Sequence, residues 1–180
     1  MIKIFEGARN SGKTYLSSEF SKMSNLPLFK FQFSDWFGLL NLTDQDPKTH
    51  YFALGKELML LQTNKEGLLA DLILDRGFLT VFTWAILSSR TTEENAMTQF
   101  DLLQTMGLLT NLQIFLVVGK NPSQDPRNKD HWDFRDGQDD EARILLKLLS
   151  HLKKIAPQVP VIEIQNDFSP RTLAQLRQNF

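Results

Sequence analysis

Eight consecutive residues near the start of the chain have the composition of a phosphate-binding loop. The pattern is G-x-x-x-x-G-K-[ST], formed by Gly7, Ala8, Arg9, Asn10, Ser11, Gly12, Lys13 and Thr14. Its two glycines let the backbone curl around phosphate oxygens, and its successive N–H groups supply positive potential. Lys13 would reach the outer phosphates of a nucleotide, and the Thr14 hydroxyl would ligate Mg2+. We therefore predict a site for ATP and Mg2+.

The segments on either side of this loop suit phosphate binding. Residues 2–5 predict a short apolar strand, while Leu16, Phe20 and Met23 share one face of a predicted helix over 13–23. A loop between a strand and a helix points its N–H groups and the helix N-terminus at one spot, which favours a polyanion. This context favours a phosphate loop over an accidental glycine turn.

The rest of the 180 residues alternates between predicted strands and helices. Strands are predicted at 28–33, 72–75, 114–118 and 159–164, and helices at about 50–65, 79–88, 91–106, 139–154 and 169–180. The helix at 50–65 is expected to turn Leu54, Leu58 and Leu61 inward, and Thr91 with Glu94 forms a capping-box pattern. Five apolar strands separated by helices predict one α/β domain over 1–180, with a mostly parallel sheet covered on both faces. Together with the loop, this is the three-layer fold of P-loop NTPases.

A second polar cluster, Asp75-Arg76-Gly77, follows the apolar strand at 72–75. Ligands of open parallel sheets bind at the carboxyl ends of the strands, where this cluster is expected to lie. The Asp75 carboxylate could bind Mg2+ directly or through water, and Arg76 could hold a phosphate through two hydrogen bonds. The alternative is an aspartate that caps the following helix beside a solvated arginine.

These motifs together resemble the thymidylate kinase-like branch of P-loop kinases, a group that includes deoxynucleoside kinases. The resemblance is carried by Phe5-Glu6-Gly7 before the loop, Asp75-Arg76 after the third strand, a late polar segment with arginines, and Val-Pro-Val-Ile-Glu-Ile-Gln-Asn at 159–166. It implies an ATP-dependent kinase acting on a nucleoside monophosphate or a deoxynucleoside. It also implies that Arg76 binds the acceptor phosphate or the transferring phosphate.

The sequence departs from the thymidylate kinase pattern at two places. Residues 32–38, Gln-Phe-Ser-Asp-Trp-Phe-Gly, stand where thymidylate kinases have Arg-Glu-Pro-Gly-Gly, and Gly77 stands where they usually carry an aromatic residue. Asp35 lies at the place where deoxynucleoside kinases and polynucleotide 5'-kinases carry an acid. A hydroxyl acceptor keeps its proton and needs a carboxylate base, whereas a monophosphate is already ionised near neutral pH. Asp35 is thus a candidate general base, or else a loop aspartate that caps a helix.

The polar segment at 121–138 is too long for an ordinary connection and is predicted to be a lid. Its arginines, Arg127 and Arg135, are candidates to stabilise the negative charge that spreads over a transferring phosphoryl group. Arg143 on the next predicted helix is a third candidate, and Asp139 or Asp140 would cap that helix. The alternative is a solvated loop whose charges pair among themselves.

Composition excludes several classes of protein. The chain has 42% apolar residues and a formal net charge of -1, so it is neither a disordered chain nor a globally basic polyanion binder. It has no cysteine and therefore no disulfide framework. It also has no apolar run long enough for a signal peptide or a membrane helix, so we expect a cytoplasmic location and no membrane partner.

The leading interpretation is a kinase of a small nucleoside or nucleotide acceptor, and a homodimer is compatible with it. The alternative is a polynucleotide 5'-hydroxyl kinase or another P-loop nucleotide-binding protein. A nucleic-acid substrate would need a basic channel, and the candidate cations, Lys22, Lys30, Lys48 and Arg90, are scattered along the sequence. A GTPase switch is disfavoured because the guanine-reading N-K-x-D pattern does not follow the fourth strand.

Overall fold

The computed structural model describes residues 1–9, 11–30, 47–119 and 135–178 of the chain. The strands of this part form one five-stranded sheet in the order β2-β3-β1-β4-β5, and every neighbouring pair is parallel. The strands are β1 (Ile2–Glu6), β2 (Leu28–Lys30), β3 (Leu72–Asp75), β4 (Leu112–Gly119) and β5 (Val161–Asn166). The predicted α/β class with a parallel sheet is confirmed.

Helices cover both faces of the sheet. Within the described residues they are α1 (Lys13–Ser24), α2 (Pro47–Lys65), α3 (Phe78–Leu87), α4 (Glu93–Thr105), α5 (Arg135–Ile155) and α6 (Pro170–Arg177). Because side chains of a strand alternate between faces, Ile2 and Ile4 join the core under α3, α4 and α5, while Phe5 joins the core under α1 and α6. β1 is therefore buried on both faces, as the central strand of a three-layer fold must be.

The apolar face that the sequence predicted for α2 is partly wrong. Leu61 is buried, but Leu58 is exposed and Leu54 only borders the core. The buried face instead includes His50, Ala53, Glu57, Leu61 and Asn64, at spacings of three and four residues. Three of these side chains are polar, so the apolar residues alone did not mark the inward face. The predicted Leu54 and Leu58 each lie one position after a buried residue, Ala53 and Glu57.

Two helix starts differ from the predictions. Thr92, not Thr91, is the N-cap of α4, and its side chain accepts a hydrogen bond from the Asn95 N–H at 3.1 Å. α5 begins at Arg135, so the last residues of the segment predicted as a lid, 135–138, are helical. Several aspartates follow in the first turns of α5, where the helix dipole favours negative charge. Residues 121–134 of the predicted lid lie outside the described residues.

The last strand is displaced by two residues, while the last helix begins where it was predicted. β5 begins at Val161, because Pro160 has no N–H for a ladder and instead accepts a hydrogen bond through its carbonyl from the Ile114 N–H. Ser169 stands at the N-cap of α6 with Pro170 after it, as predicted, but the Ser169 side chain makes no capping hydrogen bond. Among the described helices none is long and apolar enough to cross a membrane.

Removing the Phe115 ring should destabilise the fold strongly. This fully buried ring stacks on Phe5 at 4.7 Å between centroids and contacts the ring of Phe20 at 5.2 Å. Phe115→Ala should lower the free energy of unfolding by about 3–5 kcal/mol, measured by urea denaturation. Leu68→Ala, at a side chain that is 74% exposed, should cost almost nothing. Equal losses in the two variants would contradict the assigned core.

Candidate phosphate-binding site

The predicted phosphate loop joins the carboxyl end of β1 to the N-terminus of α1. A Cβ atom on Gly7 would lie 2.3 Å from the Val117 carbonyl oxygen of β4, so only glycine lets the loop pass this strand. Gly12, the N-cap of α1, has φ +88°, and its Cβ would lie 2.0 Å from Asn166 Nδ2. Both glycines are therefore fixed by contacts with strands distant in the sequence. Asn10 lies outside the described residues.

Lys13 is buried inside this loop. Its ammonium donates a hydrogen bond to the Ala8 carbonyl at 2.6 Å, and the residue is only 4% exposed. Burial lowers the pKa of Lys13 to about 8, and the positive charge of Arg76 acts in the same direction, while Glu141, Glu6 and Asp75 oppose it. The charge of Arg76 thus acts on Lys13 at this end of the sheet, and two positive side chains near a phosphate loop suit a polyanion.

The loop is braced from the end of β5. Asn166 is buried, and its Nδ2 donates to the Ser11 carbonyl at 2.7 Å, while its Oδ1 accepts from the Phe168 N–H at 3.1 Å. The Phe168 ring contacts the ring of Tyr15 on α1 at 5.7 Å between centroids. The strand prediction ended at residue 164 and so missed this asparagine, although the polar Gln165-Asn166 after an apolar strand was a usable signal.

Two of the arginines singled out in the sequence form ion pairs with glutamates of other elements. Arg9 of the loop forms an ion pair with Glu141 of α5 at 3.3 Å, which links the loop to that helix. Arg143 pairs with Glu93 of α4 at 3.0 Å. Arg127 and the side chain of Arg135 lie outside the described residues, so their lid role stays a prediction. Asp35 also lies outside the described residues, and its role as a general base stays a prediction.

Asp75 and Arg76 lie beside the loop, because β3 neighbours β1. Asp75 is opposite Phe5 in the register and is 5% exposed, and its Oδ1 has no hydrogen-bond partner within the described part of the chain. Arg76 has φ +77°, which L residues rarely adopt, and its N–H donates to the Phe5 carbonyl at 3.1 Å. The charges of Arg76 and Asp75 both act on Lys13, so these predicted residues lie at the same end of the sheet.

The oxygen atoms available here fit Mg2+. This ion is usually held in proteins by one or two carboxylates together with substrate phosphates and water. Asp75 offers a buried carboxylate oxygen without a partner, and the exposed Thr14 can offer its hydroxyl. Among the described residues no group of three or more His, Cys, Asp or Glu could hold a metal by itself. The donors therefore suit a metal shared with a nucleotide.

Glu6 is a fully buried carboxyl group at the end of β1 that sequence reasoning did not assign to the site. Its Oε1 accepts hydrogen bonds from the N–H groups of Gly77 at 3.0 Å and Thr80 at 3.4 Å, and its Oε2 contacts the Thr80 hydroxyl. Burial raises the pKa of Glu6 to about 7, opposed by the hydrogen bond from the Thr80 side chain. A charged residue at the end of a buried strand was the signal for it.

A second buried carboxyl, Glu57 of α2, is close enough to Glu6 to raise the pKa of Glu6. Burial also raises the pKa of Glu57, against the effect of its ion-pair partner Lys56. Near the start of the same helix, burial lowers the pKa of His50, and the charge of Arg90 adds to this effect. The polar face of α2 therefore borders the same end of the sheet as the phosphate loop.

The fold and the loop together define a three-layer P-loop architecture. No family model matches the sequence, and no curated protein matches it. Solved structures are similar to it. The deoxyadenosine kinase from M. mycoides with bound dCTP shares 15% identity at a TM-score of 0.60, over 99% of this chain and 97% of that chain. The same enzyme with its products dCMP and a flexible dCDP shares 17% identity at a TM-score of 0.61 over the same fractions.

A further similar structure is NadR in complex with NR, with 12% identity and a TM-score of 0.60. The match covers 98% of this chain and 49% of the NadR chain. At such identities these likenesses concern the fold. The predicted resemblance to P-loop kinases of the deoxynucleoside group, and the three-layer P-loop fold itself, are confirmed at that level.

Replacing the Glu6 carboxyl by an amide should change how stability depends on pH. The pKa of Glu6 is raised in the folded protein from 4.5 to about 7, so its protonation stabilises the fold below about pH 4.5 and this contribution is lost as the pH rises through 7. The shift corresponds to about 3 kcal/mol. The free energy of unfolding of Glu6→Gln, relative to that of the wild type, should therefore increase by about that much as the pH rises from 4.5 to 7.5. The measurement is urea denaturation at each pH.

The matched control is Glu19→Gln, at a partly exposed carboxyl of α1, which should follow the wild type across this range. A difference between Glu6→Gln and the wild type that does not vary with pH would contradict the raised pKa.

Proposed function

We propose that this chain is a kinase that transfers the terminal phosphoryl group of ATP to a small nucleoside-type acceptor. The observation that carries the proposal is the convergence of Lys13, Arg76 and the buried Asp75 at one end of the sheet, around a loop whose glycines are fixed by close contacts. The likeness of the fold to deoxyadenosine kinases supports the choice of acceptor class.

In this proposal the loop, Gly7 to Thr14, binds the phosphates of ATP through its N–H groups and the N-terminus of α1. Lys13 exchanges its hydrogen bond to the Ala8 carbonyl for a phosphate oxygen. Because the ammonium is already desolvated, it forfeits little hydration on binding the phosphate. Thr14 and Asp75 would hold Mg2+, which supplies charge neutralisation on the phosphates when it is bound.

On the acceptor side, the proposed roles fall to Arg76 and Asp35. Arg76 binds the acceptor phosphate or the transferring phosphoryl group, whose equatorial oxygens carry the negative charge. With a deoxynucleoside, the sugar hydroxyl oxygen forms the new P–O bond, ADP leaves with the electron pair of the broken bond, and Asp35 takes the hydroxyl proton. Arg127, in the predicted lid, and Arg135, the first residue of α5, add positive charge. The similar structures are of a deoxyadenosine kinase with dCTP, with dATP, or with dCMP and dCDP as products, which favours a deoxynucleoside over a monophosphate acceptor.

The positions of the scattered cations favour a small acceptor over a polynucleotide. Lys22 lies nine residues beyond Lys13 on α1, about 13 Å along the helix axis from the loop, and pairs with Glu19 at 2.6 Å. Lys30, in contrast, ends β2 at the loop's side of the sheet, opposite Asp75. A strand-tracking groove would need these cations side by side.

Lys13→Ala should reduce phosphoryl transfer by more than about a hundredfold, because removing one preorganised positive donor at a transferring phosphate has effects of this size. The measurement is ADP release with ATP, Mg2+ and a panel of deoxynucleosides, nucleoside monophosphates and 5'-hydroxyl oligonucleotides.

Lys22→Ala, on the same helix but outside the loop, is the control and should keep wild-type turnover. Far-UV circular dichroism should show that Lys13→Ala is folded at the assay temperature, so that a loss of turnover reports on the site. Undiminished turnover in Lys13→Ala would overturn the proposed function.

Asp35→Asn separates the two acceptor classes. With a hydroxyl acceptor, loss of the general base should slow turnover by about a hundredfold or more and remove the acidic limb of the pH–rate profile. With a monophosphate acceptor, whose oxygen is already ionised, the chemical step should change little. A wild-type rate with a deoxynucleoside acceptor would exclude Asp35 as the base.

A further inference from the structure

Helix α3 has no capping side chain of its own. Its N-cap is Gly77, which has none, and the first turn would be left with unpaired N–H groups. The Glu6 carboxyl, 71 residues earlier and on a different strand, accepts hydrogen bonds from the N–H groups of Gly77 and Thr80. A buried carboxyl of β1 therefore caps a helix that follows β3.

This cap lies directly beside Arg76. The left-handed backbone of Arg76, at φ +77°, is unfavourable for a residue with a Cβ and persists only where its neighbours are fixed. On one side the Arg76 N–H is held by the Phe5 carbonyl, and on the other the Gly77 N–H is held by Glu6. Both anchors are adjacent residues of β1, the strand that leads into the phosphate loop.

The packing allows no slack in this turn. A Cβ on Gly77 would lie 2.7 Å from Ile4 Cγ2 and 3.2 Å from Glu6 Oε1. The turn thus approaches β1 as closely as glycine permits. This packing and the two anchored N–H groups fix the backbone that carries Arg76, whose charge acts on Lys13.

We propose that Glu6 is a positioning residue that holds the Arg76 turn against the phosphate loop, so that the guanidinium is preorganised for phosphate. The inference rests on the proposed function in one respect, since that function assigns phosphate binding to Arg76. The proposal assigns Glu6 an indirect role in phosphate binding, because the hydrogen bonds of Glu6 are to the turn that carries Arg76.

The chemistry of the contacts separates this role from an effect of charge. A carboxylate accepts from both N–H groups and from the Thr80 hydroxyl. A protonated carboxyl accepts the same two N–H groups on Oε1 and donates from Oε2 to the Thr80 oxygen. A glutamine can do the same, with its carbonyl oxygen accepting and its NH2 donating. Glu6→Gln should therefore keep the turn in place, whereas Glu6→Ala removes every acceptor.

The first measurement is amide hydrogen exchange at Gly77 and Thr80. Both amides should exchange about tenfold or more faster in Glu6→Ala than in the wild type, the change in equilibrium expected from losing a helix cap. In Glu6→Gln they should stay within a few-fold of the wild type. Amides far from the turn, such as Asn95 at the N-terminus of α4, report any general loosening.

The second measurement is the affinity for inorganic pyrophosphate, by calorimetry at a temperature where every variant is folded. Glu6→Ala and Arg76→Ala should each weaken binding by about tenfold, while Glu6→Gln should bind as the wild type does. The double variant Glu6→Ala/Arg76→Ala should bind no worse than Arg76→Ala alone, because Glu6 acts through Arg76. A merely structural role for Glu6 would give additive losses.

Unchanged exchange of the Gly77 amide in Glu6→Ala, equal losses in Glu6→Gln and Glu6→Ala, or additive losses in the double variant would each overturn the inference. If Glu6→Ala does not fold, Gly77→Ala displaces the same turn through its added methyl group and should weaken pyrophosphate binding to the same extent. Neither measurement needs turnover, so a wild type that binds pyrophosphate but phosphorylates no acceptor would defeat the proposed function alone.

Discussion

A buried ammonium group is the constraint on which the rest of this structure depends. Lys13 is almost completely buried, and its ammonium donates a hydrogen bond to a carbonyl of its own loop. A buried charge is costly unless its surroundings compensate for it. Partial compensation comes from Glu6 and Asp75, at the ends of β1 and β3, and from Glu141 of α5. A parallel sheet makes this arrangement available because all its carboxyl ends lie on one edge.

The loop also depends on strands that are distant in the sequence. Gly7 passes β4 at a distance that excludes a side chain, and Gly12 is enclosed by Asn166 and Phe168 at the end of β5. The phosphate motif alone therefore does not determine the shape of the loop. Its backbone shape is set by neighbours that appear more than a hundred residues later, and a Cβ at either glycine would push the loop out of register with its helix.

What could be predicted from sequence follows from the range of each interaction. The motif at 7–14, the strand periods and the positions of Lys13, Asp75 and Arg76 are local patterns, and the structure brings these three residues together. The contact of Glu6 with Gly77 spans 71 residues and that of Asn166 with Ser11 spans 155, so no local pattern encodes either. The inward face of α2 was misjudged for a related reason. Its buried positions include Glu57 and Asn64, and a helix that turns polar groups toward a site does not show the apolar period of a packing helix.

Two buried carboxyl groups near the loop, those of Glu6 and Asp75, differ in the hydrogen bonds that their oxygens accept. Both Oε atoms of Glu6 accept hydrogen bonds from residues at and after the turn that follows β3. Asp75, on the adjacent strand, keeps Oδ1 without a partner in the described part of the chain. An unpaired buried oxygen is costly, and a bound cation would satisfy it, which agrees with the Mg2+ ligation proposed for Asp75. The hydrogen bonds of the two acids therefore differ, although both end neighbouring strands of the same sheet.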